Sequence, residues 1–261
     1  MQSKPLAIIL LAASLAAGAG VGKPSKPAGY LTAATAPDTL KILPPAPLRG
    51  GPQDTADRAI FLSTRALANG PRWAMAAGDS DKSQSATLAD FSCAVGVRLD
   101  PDRAAKLSML LTRMRQDVSA AVDSPKDFYQ RRRPFQVMHG AICKERDPGK
   151  LDSPDYPSGH AAWGWSVGLV LAELAPDRST PILVRARAYG ESRVVCGVHN
   201  LSAVTEARTD ASAVVAALHG DAGFRADLES ARAELAALRS ARGPSPADCG
   251  AEAALAAKTP W

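Results

Sequence analysis

Three short stretches of the sequence hold residues that could do chemistry together. In the first, Lys126 and Arg133 stand seven positions apart, and Arg133 is followed by Pro134. Seven residues span about two helical turns, so a helix would project both cations from one face, where they could clamp an oxyanion. The second stretch is Pro157-Ser158-Gly159-His160, directly ahead of a strongly apolar run. A tight turn into a helix leaves first-turn N–H groups without intrahelical acceptors, and the helix dipole makes that end a seat for an anion. Ser158 adds a hydroxyl there and His160 a titratable ring. The third stretch is Ser192-Arg193 followed, after five residues, by His199. Arg193 offers a planar fork matched to phosphate oxygens, and His199 adds an imidazole. Taken singly, each stretch has a plainer explanation. The first could be a solvated basic face, the second a capped helix start, the third an Arg paired with Glu191 beside a helix-capping His. Taken together they put three cations, one helix N-terminus and two imidazoles in one chain. That combination suits phosphoryl transfer, which depends on positioning and charge neutralisation.

Such side chains need a rigid frame, and the sequence predicts a helical one. Ala and Leu dominate the apolar residues and aromatics are only 5%, a balance that favours helices over sheets. Apolar residues at helical spacing predict a helix over Asp54–Ala68 and a shorter one over Thr87–Val97. Asp100-Pro101 reads as a helix start, with Asp as N-cap and Pro at the first position. That helix should stop before Ser124-Pro125, which opens a separate short helix reaching Arg133-Pro134. A loop follows over roughly Pro134–Pro157. Further helices are expected over Ser158–Leu174, Pro181–Val195, His199–His219 and Ala222–Arg242, the last with a charged outer face over a core stripe. The expected fold is all-α, with one helical domain over 54–242. An extended segment precedes it over 20–53, and a loop-like tail follows over 243–261.

Lys4, the apolar run Leu6–Ala17 and the small residues Ala17-Gly18-Ala19 read as a cleavable secretory leader over residues 1–19. The apolar run is short for a membrane span, so the expected location is the periplasm or the outside of the cell, without stable membrane insertion. Hydrophobic residues at 46% and charged residues at 22% exclude a wholly disordered chain. The net charge of +5 is spread among interleaved acidic and basic residues, the pattern of solvated helix faces rather than of a nucleic-acid partner. Arg131-Arg132-Arg133 is too short for a nucleic-acid footprint and could line an anion pocket. The four cysteines of an exported chain suggest two disulfides. Three pairings are open. We expect Cys93 with Cys143 and Cys196 with Cys249, with Cys196 as a buried free thiol the alternative. His219 reads as a cap at a helix C-terminus. Trp73, Trp163 and Trp165 read as packing, Tyr156 as a pocket wall, and Asp152 and Asp155 as turn residues. His139 lies in the loop after Pro134.

In order and spacing, the three stretches resemble the signature of the type 2 phosphatidic acid phosphatase superfamily. That signature runs Lys-x6-Arg-Pro, Pro-Ser-Gly-His and Ser-Arg-x5-His-x3-Asp. The stretches Tyr156–Trp165 and Tyr189–His199 resemble its soluble, exported branch, the bacterial class A non-specific acid phosphatases, and the likeness spans roughly residues 55–240. The resemblance implies a phosphomonoesterase that uses no metal or other cofactor and works through a phosphohistidine. It makes His199 the nucleophile and His160 the general acid, then the base that activates water. Lys126, Arg133, Arg193, Ser158 and the Gly159 amide would hold the phosphate oxygens. The expected partners are small phosphomonoesters, with inorganic phosphate or vanadate as ligands, and a homodimer is left open.

One position departs from the signature. After three residues beyond His199, where the family has an Asp, this chain has Ala203. In the family that Asp fixes the tautomer of the nucleophilic ring. Loss of such an orienting carboxylate costs up to about 10⁴ in turnover in a serine protease. Ser202 could substitute as a neutral acceptor, or a backbone carbonyl could. Glu206 shares the face but sits about 10 Å along the axis. The function read here is therefore an exported acid phosphatase, slowed if nothing replaces that Asp. The alternatives are a phosphate-binding protein without turnover and, least favoured for so short a chain, a vanadium haloperoxidase. A neutral imidazole nucleophile working with a protonated acid implies activity in weak acid to neutral conditions.

Overall fold

The computed structural model describes residues 27–143, 153–241, 246 and 248–261. The leader read over residues 1–19 lies outside the described residues, as does Asp152. Ten α-helices and no strand occur among the described residues: α1 Thr39–Ile42, α2 Pro52–Thr64, α3 Pro71–Gly78, α4 Gln84–Val95, α5 Ala105–Tyr129, α6 Gly159–Leu174, α7 Ser179–Val195, α8 Leu201–Leu218, α9 Ala222–Ser240 and α10 Cys249–Ala257. The all-α reading therefore holds. Among the described residues no helix is long and apolar enough to cross a membrane.

The apolar helix α6 is the hub. It packs most extensively against α7 and α8, and α5 packs against both α6 and α9. A helix that is apolar nearly all round belongs in an interior. Here Ala162, Val167, Val170 and Leu171 are fully buried. Close approach of α6 to α7 depends on two glycines. A Cβ on Gly164 would lie 2.2 Å from the Tyr189 ring, and one on Gly168 would lie 2.3 Å from the Ala186 Cβ. The space left by Gly164 lets Tyr189 reach the start of α6, where its ring stacks on His160 at 4.7 Å and 13°. Packing deep in the bundle thus positions a ring at its edge.

Five expectations need correction. The helix expected to start at Asp100-Pro101 begins only at Ala105, with Ala104 at its N-cap position and residues 101–104 in turns. The helix expected to stop before Ser124 runs on through Pro125 to Tyr129 as one 25-residue element. It ends where Gln130 takes a left-handed conformation at φ 45°. Lys126 and Arg133 consequently do not share a helix. Lys126 sits in the last turn of α5, and Arg133 caps a short 3-10 turn over Pro134–Gln136. Residues 249–257 of the tail form a helix. Finally, the disulfides pair Cys93 with Cys249 and Cys143 with Cys196, with no free cysteine. The reason lies in the docking of α10. It lies against α4 and α7, where Glu252 pairs with Arg185 at 3.3 Å and Arg187 donates to the Ala256 carbonyl at 2.9 Å. That carries Cys249 to α4 and leaves Cys196, at the end of α7, beside Cys143.

Candidate active site

A cleft of about 950 Å³ opens where α5, α6 and α7 end. Lys126, Arg133, Gly159, His160, Arg193 and His199 all line it. Three distant chain segments thus meet in one cavity, as their chemistry required. Of the residues proposed from the sequence, Ser158 is fully buried and does not line the cleft. Its hydroxyl caps α6 by accepting from the Ala161 amide at 3.3 Å, and its own amide donates to the Ala203 carbonyl at 2.9 Å. With Ala161 capped, the first-turn amides of Gly159 and His160 still have no intrahelical acceptor, which keeps that end of α6 suited to an anion.

The cations are held largely by backbone carbonyls. The Lys126 ammonium donates to the Pro154 carbonyl. Arg133 donates from Nε to the Ser153 carbonyl at 2.6 Å and from Nη1 to the Val198 carbonyl at 2.9 Å. Arg193 donates from Nη2 to the Ala76 carbonyl at 2.8 Å and to the Ser80 hydroxyl at 3.0 Å. Neutral acceptors fix the side chains while leaving their charge unneutralised, which is what an anion site needs. Burial and the neighbouring Arg133 push the Lys126 ammonium down to about 8. The triple-arginine run divides. Arg133 enters the cleft, Arg132 donates to the Gln136 carbonyl at 2.7 Å, and Arg131 turns away toward acidic residues.

Both histidines are depressed well below the ordinary imidazole range. Desolvation is the main cause for each, followed by Arg193 for His160 and by Arg133 and Lys126 for His199. Each ring is therefore neutral near neutral pH, and partners fix the His199 tautomer. Arg133 Nη1, which can only donate, lies 3.0 Å from His199 Nε2. Nε2 must then carry the lone pair, and the proton sits on Nδ1. Nδ1 lies 2.9 Å from both the backbone carbonyl and Oδ1 of Asp155. His160 Nε2 has no hydrogen-bond partner among the described residues.

Several expected roles change. Asp155, read as a turn residue, is completely buried against His199. Tyr156, read as a pocket wall, is also fully buried. It packs with Leu43 and Ala203 and donates its hydroxyl to the Pro44 carbonyl at 2.7 Å. Ser192 is buried away from the cleft, where its hydroxyl donates to Asp79 and accepts from Arg72. Trp163 is buried as expected but also lines the cleft, with the Arg115 guanidinium 4.6 Å from its ring. His219 caps α8 as expected, with its ring also 2.9 Å from Glu173. Sequence reasoning gave Asp155 and Arg131 other roles, as a turn residue and as a wall of an anion pocket, and missed Asn200. The only available signal was an acidic residue two positions ahead of Pro157, and nothing in its spacing points to His199.

An all-helical bundle with this cleft at its helix ends defines a phosphate-handling protein of the PAP2 kind, and the chain belongs to the PAP2 superfamily. The superfamily model matches residues 105–220, which hold all three stretches. The chain is 42% identical over 203 residues to the acid phosphatase of Zymomonas mobilis, covering 77% of each chain. It is 39% identical over 212 residues to the non-specific acid phosphatase of Providencia stuartii, covering 80% of this chain and 86% of that one. The non-specific acid phosphatase of Salmonella typhimurium is 33% identical over 195 residues, covering 74% of this chain and 78% of that one.

Proposed function

We propose that this protein is an exported acid phosphatase that hydrolyses small, soluble phosphomonoesters through a phosphohistidine. Family membership and the relatives' activity support the acid phosphatase reading. The observation that carries the route is the His199 ring, with its proton held on Nδ1 and its lone pair on Nε2 among three cations. In the first step Nε2 attacks phosphorus, the P–N bond forms and the P–O bond to the leaving group breaks. His160 passes a proton from Nε2 to the departing oxygen. In the second step neutral His160 takes a proton from water, the oxygen of that water attacks phosphorus, and the P–N bond breaks to release phosphate. Arg133 exchanges His199 for phosphate oxygens as substrate enters. Lys126, Arg193 and the first-turn amides of α6 hold the remaining oxygens, with Ser158 shaping that turn.

His160 is neutral in the empty cleft, so its proton must come with the substrate. A phosphomonoester has its second pKa at about 6, and its monoanion carries the proton that His160 needs. Turnover should therefore be greatest in weak acid. A rate that rises steadily through alkaline pH would rule this route out.

The decisive experiment is hydrolysis of p-nitrophenyl phosphate near pH 6 by the wild type and by His199→Ala. Turnover should fall by about 10⁴ or more, with phosphate still bound and no acid-labile phosphoenzyme trapped on quenching. Equal turnover in both proteins would refute the phosphohistidine. A folded wild type that binds phosphate without turnover would support a binding protein instead.

A further inference from the structure

We propose that Asp155, a loop residue, is the positioning residue that orients His199 in place of the carboxylate that α8 lacks. The inference rests on the phosphatase reading above, since it assigns a role to a partner of its nucleophile.

As alanine, position 203 offers the ring no acceptor. Ala203 is fully buried, and its methyl lies in an apolar cluster with Leu43 and Tyr156. Ser202 is already committed. Its hydroxyl donates to Asp57 and accepts from Arg131 Nη1 at 2.7 Å, and its amide donates to Asp57 at 2.9 Å. Asp155 reaches the ring out of the loop that leads into α6. Its Oδ1 lies 2.9 Å from His199 Nδ1 and also accepts from the Asn200 amide at 3.1 Å. Its Oδ2 accepts from Asn200 Nδ2 at 2.7 Å and pairs with Arg131 at 3.4 Å. Asn200, the residue directly after the nucleophile, therefore grips both carboxylate oxygens. Arg131 is anchored in turn by Asp57 at 2.9 Å and Asp54 at 3.3 Å, both on α2. The carboxylate has a fixed position and a charge partner, and such support is what makes a buried ionic group an orienting device.

The rival acceptor is the Asp155 backbone carbonyl, also 2.9 Å from Nδ1. The two differ chemically once His199 is phosphorylated. The ring then carries positive charge, which a carboxylate stabilises far better than a neutral carbonyl does. Replacing the side chain leaves the carbonyl in place, so the two acceptors can be told apart.

The test compares the wild type with Asp155→Asn, Asp155→Ala, and Asp155→Ala combined with Ala203→Asp. For each, kcat, KM, phosphate affinity, the melting temperature and the low-field proton resonance of His199 Nδ1–H are measured. Asp155→Ala should lower kcat by about 10²–10⁴ while KM and phosphate affinity stay within about threefold. Adding Ala203→Asp should restore kcat at least about tenfold, because a carboxylate returns to the ring from α8. Asp155→Asn keeps the shape and stands in if the Ala variant does not fold; it should show the same loss in kcat. A kcat within about threefold of wild type in either single variant would overturn the proposal. So would a loss matched by an equal loss of phosphate affinity, since Asp155 would then merely prop the loop. The Nδ1–H resonance keeps the two readings separate. If the wild type lacked turnover, the phosphatase reading would fail. The Asp155 contact would still be tested by whether that resonance shifts in the Asp155 variants.

Discussion

On the cleft side of His199, charged groups converge and are held mainly by neutral carbonyls. Arg133, Lys126 and Arg193 each donate to backbone oxygens. On the far side the arrangement is reversed. Asp155, Asp57 and Asp54 all pair with the single Arg131, so carboxylates outnumber the cation that ties them together. One side presents cations to a ligand, and the other presents carboxylates tied in place so that one of them can hold a ring still. Buried cations lining an open cleft favour an incoming anion, whereas a buried carboxylate is tolerated only with donors around it. The two sides also have different origins along the chain. The cleft side is built by the ends of α5, α6 and α7, and the far side by α2, the loop before α6 and the start of α8.

Several measurements would break or sharpen that contrast. The His199→Ala comparison carries the largest effect and the Asp155 series comes next, because both act on the ring shared by the two sides. On the cleft side, His160→Asn should lower kcat by about 10²–10⁴ for alkyl phosphates. The loss should be smaller for p-nitrophenyl phosphate, whose leaving group needs little protonation. Equal losses on both substrates would remove His160 from the general-acid role.

A smaller effect should appear with pH. The Lys126 ammonium, lowered to about 8, is charged below that pH and loses its charge as pH rises through it. Inhibition by sulfate, an anion that does not titrate in this range, should weaken above about pH 8. The slope should approach about tenfold per pH unit if the ammonium is required. Lys126→Arg should flatten that limb, and a wild-type inhibition constant level to pH 10 would exclude Lys126 from the anion site.

The smallest effect on turnover belongs to a region remote from both sides. Cys93→Ser with Cys249→Ser removes the link between α4 and α10 across 156 residues. It should cost about 2–5 kcal/mol of stability, read as a lower melting temperature, with kcat near wild type. A comparable fall in kcat would show that the α10 dock is coupled to the cleft.

The cleft side was legible in the sequence because its chemistry constrains residue type and spacing. Lys126, Arg133, His160, Arg193 and His199 all reach one cavity. They do so even though the helix expected to join Lys126 to Arg133 ends at Tyr129. Most of the expected helices over residues 54–242 appear with shifted ends, while the short one opened by Ser124-Pro125 is the end of α5. Those shifts arise where a single residue, such as Pro125 or Gln130, defers to its tertiary surroundings. The far side was not legible. A carboxylate can approach Nδ1 from any element that packs there. Ala203 announced that the usual element did not supply one, without pointing to Asp155.

The sequence alone determined the helical class, through its apolar periodicity, and the charge and imidazole content of the cleft, through residue identity at fixed spacing. Only the tertiary structure decided which cysteines meet, where α5 ends, and which carboxylate holds His199. Those three depend on how distant segments dock. Docking is set by the summed burial of many side chains, and no local spacing encodes it.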